Sequence, residues 1–266
     1  MRSVLALVRA AWLSAISYRL ATILSFVGLL ASLVPIYFIS GAVQEVAQES
    51  IRAEGGSYFG FIVVGLAAVY LLSTAVSAIP GTIAGSIGSG TFEALLVTRT
   101  PLPTLLIGLA GYSLVQSAVR AGVLLIGGAV LGVDIAWRMM PAVGLILLVM
   151  VIAYGSIGLI AAALVLVFRT SGPLIDVVIA GSALLGGAYY ATGVVPGWLR
   201  VLTDFVPLTY ALRPIRMLLL GGAGVTEVVA DVSLLTLIAL STLLVGAGSF
   251  VLALARARKA GTLSQY

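Results

Sequence analysis

Six apolar runs, most of them near or above the roughly 20 residues that cross a bilayer as helix, divide the chain. They cover Leu20–Ser40, Tyr58–Ile79, Leu105–Val133, Pro141–Phe168, Leu174–Ala191 and Val232–Leu254. The third and fourth exceed what a membrane requires and are expected to tilt or protrude. Pro35 falls inside the first run and is expected to kink it. Ahead of that run, Val4, Leu5, Val8, Ala11, Trp12, Ala15 and Ile16 recur at helical spacing. Arg2, Arg9 and Ser14 lie largely off that face, and Trp12 and Tyr18 suit the headgroup level. Residues 1–19 are therefore expected to form an amphipathic helix in the membrane interface. Arg9 and Arg19 interrupt this stretch, so it makes a poor signal peptide and is expected to be retained.

Two segments depart from this alternation of span and turn. The first, residues 86–103, follows the second run. Gly85, Gly88 and Gly90 are expected to end the preceding helix. Thr91 can cap a new one, with Glu93 in its first turn, where a carboxylate favours the helix dipole. Phe92, Leu95 and Leu96 give it an apolar side, and Pro101 and Pro103 stop it. The second segment, residues 192–222, is too polar and proline-rich for an ordinary span and too apolar for a free loop. Short helices broken at Pro196, Pro207 and Pro214 fit it. Backbone of this kind survives at membrane depth only under cover of protein or water, which predicts a re-entrant hairpin dipping into the outer leaflet. The pattern as a whole predicts one all-α polytopic domain over residues 1–266, with six transmembrane helices, the interfacial helix in front and the re-entrant hairpin before the last span.

Composition agrees. The chain is 61% hydrophobic and 9% charged, whereas a soluble domain carries about a quarter charged residues. The net charge of +5 comes from basic residues at the ends of apolar runs, which points to membrane orientation and not to nucleic acid. With the N-terminus inside, Arg2, Arg9, Arg19, Arg99, Arg169, Arg256, Arg258 and Lys259 face the cytoplasm against only Glu93 and Asp176. Five Arg face seven acids outside. Both termini are therefore expected in the cytoplasm. The chain has no Cys and no His, which excludes disulfides, thiol chemistry, His-ligated metals and His-based catalysis. No metal site and no catalytic residue is expected. Pairs such as Gly128 and Gly132, or Gly155, Gly158 and Ala162, predict close helix packing.

Arg120 is the one charge deep inside a predicted span. At the centre of a bilayer it costs roughly 2.5–3.5 kcal/mol on insertion scales, so it should face protein or water. Ser113, Gln116 and Ser117 share its helical face. The stripe fits a substrate path, and fits equally a hydrogen-bonded contact between helices. Tyr189 and Tyr190 end the fifth run, where they suit an outer gate or a plain aromatic belt.

The two departing segments resemble, in order and place, those of the ABC-2 family of transporter permeases. The family has a "GTxExLLxTP"-like stretch after its second span. Here it reads Gly90-Thr91-Phe92-Glu93-Ala94-Leu95-Leu96-Val97-Thr98, with the Thr-Pro pair displaced to Thr100-Pro101. The family also has a "P-x-W-L … P-L-T-Y-A-L-x-x-x-R" stretch before its last span. Here it reads Pro196-Gly197-Trp198-Leu199, then Pro207-Leu208-Thr209-Tyr210-Ala211-Leu212, with Arg213 and Arg216 following. The resemblance implies a half-transporter in the plasma membrane. It would pair with a second permease, usually a copy of itself, and with two cytoplasmic ABC ATPase subunits that bind ATP and Mg. It implies export by alternating access, and that Thr91, Phe92, Glu93 and Leu95 couple to the ATPase. Pro196, Trp198, Pro207, Tyr210 and Arg216 would mark the re-entrant motif. The chain has no phosphate-binding loop of its own, its sole Lys being Lys259, so ATP is expected on the partner. The absence of external domains favours a drug-like, lipid or lipid-linked substrate. An ATP-independent channel or secondary transporter is the alternative, and would be expected to carry inverted repeats or more charges within its spans.

The charge asymmetry yields a direct test. A reporter that is active only in the cytoplasm should be active when fused at Tyr266 and silent when fused after Gly55. An external reporter at Tyr266 would overturn the topology.

Overall fold

The computed structural model describes residues 19–90, 102–168 and 172–259. The interfacial helix expected over residues 1–19, apart from Arg19, lies outside them. So does most of the coupling segment expected over residues 86–103, with Thr91, Phe92, Glu93 and Leu95; only its ends, 86–90 and 102–103, are described.

Nine α-helices are found among the described residues: α1 Arg19–Ala31, α2 Leu33–Ile51, α3 Tyr58–Gly88, α4 Leu102–Val130, α5 Met140–Phe168, α6 Gly172–Leu185, α7 Gly197–Thr203, α8 Pro207–Leu219 and α9 Val229–Lys259. Five stretches are long and apolar enough to cross a membrane: Thr22–Ile51, Tyr58–Gly88, Ala110–Val130, Trp137–Phe168 and Val225–Ala257. Apolar side chains favour lipid around them, and helix satisfies the backbone within each segment.

The first stretch is interrupted at Ser32, between α1 and α2. Pro35 has no N–H to give to the carbonyl of Ala31, and its ring crowds that turn, so the break falls there. α2 then continues beyond Ser40 to Ile51. α3 behaves differently around its own proline. It runs unbroken through Pro80 and Gly85 to Gly88, so Gly85 does not end the helix as expected. The carbonyl of Val76, which Pro80 leaves without its usual donor, faces Gly158 of α5. A Cβ at that glycine would stand 2.7 Å from it. The turn out of α3 comes at Gly90, whose φ of 70° suits glycine alone among common residues.

α3 is the centre of the bundle. Its residues Phe59, Val63, Val64, Ala67, Ala68, Leu71, Leu72, Ala75 and Val76 are all in the main core. α4 runs antiparallel to it, with Gly128 against Val63 and Ser117 against Tyr70. The expected pairing of Gly128 with Gly132 on one helical face is not formed, because α4 ends at Val130 and Gly132 takes φ 99° in the following turn. α5 runs parallel to α3, with Gly158 on Val76 and, farther along, Ile83 among Ala162, Ala163, Val165 and Leu166. α9 runs parallel to α5 in turn. Near its start Val228 and Val232 lie against Ala142 and Ile146. Later Gly246 would meet the Ser156 carbonyl at 2.3 Å if it carried a Cβ, and Phe250 joins the Ala162–Leu166 cluster. Small residues let these backbones approach.

Parallel neighbours require the chain between them to return. The predicted fifth run, Leu174–Ala191, is only partly helix. α6 has 14 residues, about 21 Å at 1.5 Å per residue, short of the roughly 30 Å of a hydrocarbon core. Beyond it the backbone turns at Gly187, φ 75°, and reaches the start of α3, where the Tyr58 hydroxyl donates to the Tyr189 carbonyl at 3.1 Å. α7 then leads back inward. The backbone N–H of Leu208, at the start of α8, donates to the Tyr154 hydroxyl at 3.2 Å, midway along α5. An otherwise orphaned N–H at a helix start is thereby satisfied within the bundle. α8 comes out again, and the Leu219 carbonyl accepts from Ala136 N–H at 2.9 Å, just before α5. α7 and α8 therefore form a helical hairpin that enters from the Tyr58 end and turns halfway down.

Arg216 pins this hairpin. Its side chain is 2% exposed, and all five of its N–H donors are used. Nε and Nη2 donate to the Phe61 carbonyl at 3.2 and 3.1 Å, and Nη2 donates also to the Ala188 carbonyl at 3.0 Å. Nη1 donates to the Gly187 carbonyl at 2.9 Å and to Glu54 Oε2 at 3.2 Å. The guanidinium carbon stands 3.3 Å from the centroid of the Phe61 ring. One side chain thus joins α8, the start of α3, the exit of α6 and the turn after α2. Gly65 leaves it room, since a Cβ there would lie 2.2 Å from the Ala188 carbonyl and 2.9 Å from Nη2.

Removing one partner of a buried, hydrogen-bonded ion pair costs about 3–5 kcal/mol. Arg216→Met should therefore lower the unfolding midpoint of the full chain in detergent sharply. Arg213→Met, at a side chain that is 62% exposed beside Asp231, should shift it by well under about 1 kcal/mol. Equal shifts from the two variants would show that the cluster does not anchor the hairpin.

Candidate functional site

The polar stripe on α4 faces a second one on α3. Ser113, Gln116, Ser117 and Arg120 from α4, with Thr74, Ser77, Ala78, Gly81 and Thr82 from α3, line an open cavity of about 450 Å³. The spacing explains the match. Residues 113, 116, 117 and 120 stand three, four and seven apart, as do 74, 77, 78 and 81, so each set lines one face of its helix. The helices touch at Ser117, whose hydroxyl donates to the Tyr70 carbonyl at 3.0 Å. The cavity occupies the half of α3 remote from Tyr58.

Most hydroxyl protons here are already committed. Thr74 Oγ1 donates to the Tyr70 carbonyl at 3.1 Å, Ser77 Oγ to the Ser73 carbonyl at 2.7 Å and Thr82 Oγ1 to the Ala78 carbonyl at 2.6 Å. Their oxygens keep lone pairs free, so the α3 wall offers acceptors. The α4 wall offers donors, from the Gln116 amide and the Arg120 guanidinium. Arg120 is half-buried, and among the described residues it forms no hydrogen bond and no ion pair. The cavity lining holds no Asp or Glu.

The structure therefore brings four of the sequence-predicted path residues together and separates the other two. Tyr189 and Tyr190 lie toward the opposite end of α3. Tyr189 meets Tyr58, 16 residues before Thr74 and so roughly 24 Å away along the helix. The Tyr190 hydroxyl donates to the Leu184 carbonyl. The hairpin residues are separate again. Pro196 precedes α7, and Trp198 on α7 is 77% exposed. Pro207 opens α8, the Tyr210 hydroxyl donates to the Asp204 carbonyl at 3.1 Å, and Arg216 is buried as described above.

Sequence reasoning did not single out Thr74, Ser77 and Thr82. Their spacing in Ser73-Thr74-Ala75-Val76-Ser77-Ala78-Ile79-Pro80-Gly81-Thr82 carries the signal, because a polar line within an apolar span is unusual in the way that the α4 stripe is. It also missed Glu54, which lies 162 residues from Arg216 and has no local signature. Among the described residues no cluster of Asp and Glu could hold a metal ion.

A protein-family model described as ABC-2 type transporter matches residues 2–220. No curated protein matches the chain.

If water fills the cavity, single cysteines should report it cleanly, because the chain has no native Cys. Ser77→Cys and Ser113→Cys should react with a small charged thiosulfonate in detergent, while Leu124→Cys, at a position that is 0% exposed, should stay unlabelled. Equal labelling at all three positions would exclude a defined cavity.

Proposed function

The chain belongs to the ABC-2 type transporter family and is the multi-pass membrane subunit of an ABC-type transporter; from that premise we propose that it exports a drug-like, lipid or lipid-linked molecule by alternating access. Families of this kind work with an ABC ATPase. In our reading two copies of that ATPase serve two copies of this chain in the plasma membrane, with both termini cytoplasmic. ATP and Mg sit on the partner. The observation that carries the reading is the polar cavity between α3 and α4. A membrane span exposes polar groups at depth only toward protein or water, and this one turns them toward an open space large enough for a ligand.

The crossing count follows from helix direction. Even-numbered crossings α3, α5 and α9 are parallel, which supports six passes, the fifth being made in pieces by α6 and the turns that follow it. The α7–α8 hairpin is then the re-entrant element. Trp198 and Phe205, each 77% exposed, suit lipid around it. Residues 1–19 would form the interfacial helix. The segment around Thr91, Phe92, Glu93 and Leu95 would form the coupling helix, since in sequence it joins α3 to α4, the two helices that line the cavity. A push on it would change the angle between them.

The test is transport by the assembled complex. The purified chain alone should show no ATP hydrolysis, and substrate-stimulated hydrolysis should appear when the ATPase subunit is added. Glu93→Ala should leave the chain inserted and cut that stimulation several-fold. Transport down a gradient without any ATPase would favour the channel or secondary-transporter reading.

A further inference from the structure

We propose that the α3–α4 cavity holds the anionic headgroup of an amphiphile, paired with Arg120, while the apolar part of the molecule stays in lipid; this rests on the transporter reading above. A guanidinium in a membrane span is costly unless an opposite charge or carbonyls answer it. Arg216 shows how this fold answers one internally, with five bonds. Arg120 has none among the described residues, and it faces open space. No described residue supplies its counter-charge, so a ligand's charge would sit in the open space beside it.

The walls narrow the chemistry further. With no acid in the lining, a cationic group would meet only Arg120 and neutral dipoles. An oxyanion would meet the planar fork of Arg120, which matches phosphate or carboxylate bidentately, and the Gln116 amide one turn away. Thr74, Ser77 and Thr82 present acceptor oxygens, which suits hydroxyl groups carried beside the anion. The cavity is polar, so it takes a headgroup and not an acyl chain. Away from the stripe, the outer face of α4 is apolar, with Val115 and Val119 46% and 45% exposed and Ile126 55% exposed. Such a face suits hydrocarbon, which would take the tail. Head in the cavity and tail in the surrounding hydrocarbon describes an anionic amphiphile.

Dodecyl phosphate, laurate and dodecyltrimethylammonium share a tail and differ in head. Binding of each to the full-length chain in neutral detergent would be measured by native mass spectrometry. Dodecyl phosphate should bind and the trimethylammonium compound should not. Laurate binding as tightly as dodecyl phosphate would assign any acidic amphiphile, and weaker laurate binding would assign a phosphate headgroup. Arg120→Gln should weaken dodecyl phosphate roughly tenfold or more, as loss of a charge-assisted bidentate pair requires, and Arg120→Lys should recover part of that loss. Should Arg120→Gln fail to fold, Ser77→Phe, which fills the cavity and keeps the charge, should weaken binding as well. Comparable binding of cation and anion, or unchanged dodecyl phosphate binding in Arg120→Gln or Ser77→Phe, would overturn the proposal. In that event substrate-stimulated hydrolysis by the assembled complex would still stand as the measure of the transporter reading, so the two can fail separately.

Discussion

A buried guanidinium dictates much of this structure. Arg216 lies at a depth where water does not reach, and a charge there is tolerated only if every donor is answered. Four acceptors answer it with five hydrogen bonds, and they come from three parts of the chain. Two of them, the carbonyls of Gly187 and Ala188, are free to do so because the backbone leaves helix after α6. α6 has only 14 residues. Its early end exposes the carbonyls that Arg216 needs, and Arg216 in turn satisfies carbonyls that could not otherwise remain unpaired in an apolar interior. Gly65 is the complement, a residue without a side chain at the one place on α3 where the carbonyl and the guanidinium press closest.

The two interior arginines differ in how they are answered. Arg216 is closed off and paired, so its charge is spent on architecture. Arg120 is half-buried and unanswered among the described residues, beside a space lined by donors on one helix and acceptors on the other. In a bilayer such a residue persists because something at its site rewards it. The contrast within one chain is more informative than either residue alone, since one guanidinium is fully answered and the other is not.

Around these sites the packing is tight where helices run parallel and loose where the cavity opens. Gly158 on Val76 and Gly246 on Ser156 bring α3, α5 and α9 into backbone contact, forming a block held by close dispersion contacts. α4 approaches α3 closely at Gly128 and again at Ser117, and beyond that point polar residues replace the small apolar ones on the facing sides. The cavity begins where that substitution begins. A movement of α4 relative to the block would widen or close it while the block itself stays intact.

Much of the architecture was legible in the chain alone. Runs of apolar residues set three of the long helices, α4, α5 and α9, nearly to their ends, because helix in lipid is dictated by length and hydropathy; α2 and α3 run on well past Ser40 and Ile79, where their runs stop. Pro196 and Pro207 marked the starts of α7 and α8, but Pro214 did not break α8, which runs through it, and the helical spacing of Ser113, Gln116, Ser117 and Arg120 marked one wall of the cavity. What the tertiary structure decided was every feature that needs two distant segments at once. α6 ends at a local signal, Gly187 with φ 75°, but the pairing of Arg216 with Glu54 spans 162 residues and has no local cause. Gly85 did not stop α3 and Pro80 did not break it, since in an apolar surrounding unbroken helix is the best way to satisfy the backbone and the freed Val76 carbonyl lies against Gly158. The cavity needed Thr74, Ser77 and Thr82 opposite the α4 stripe. Periodicity says which residues share a face of one helix; only packing says which face meets it.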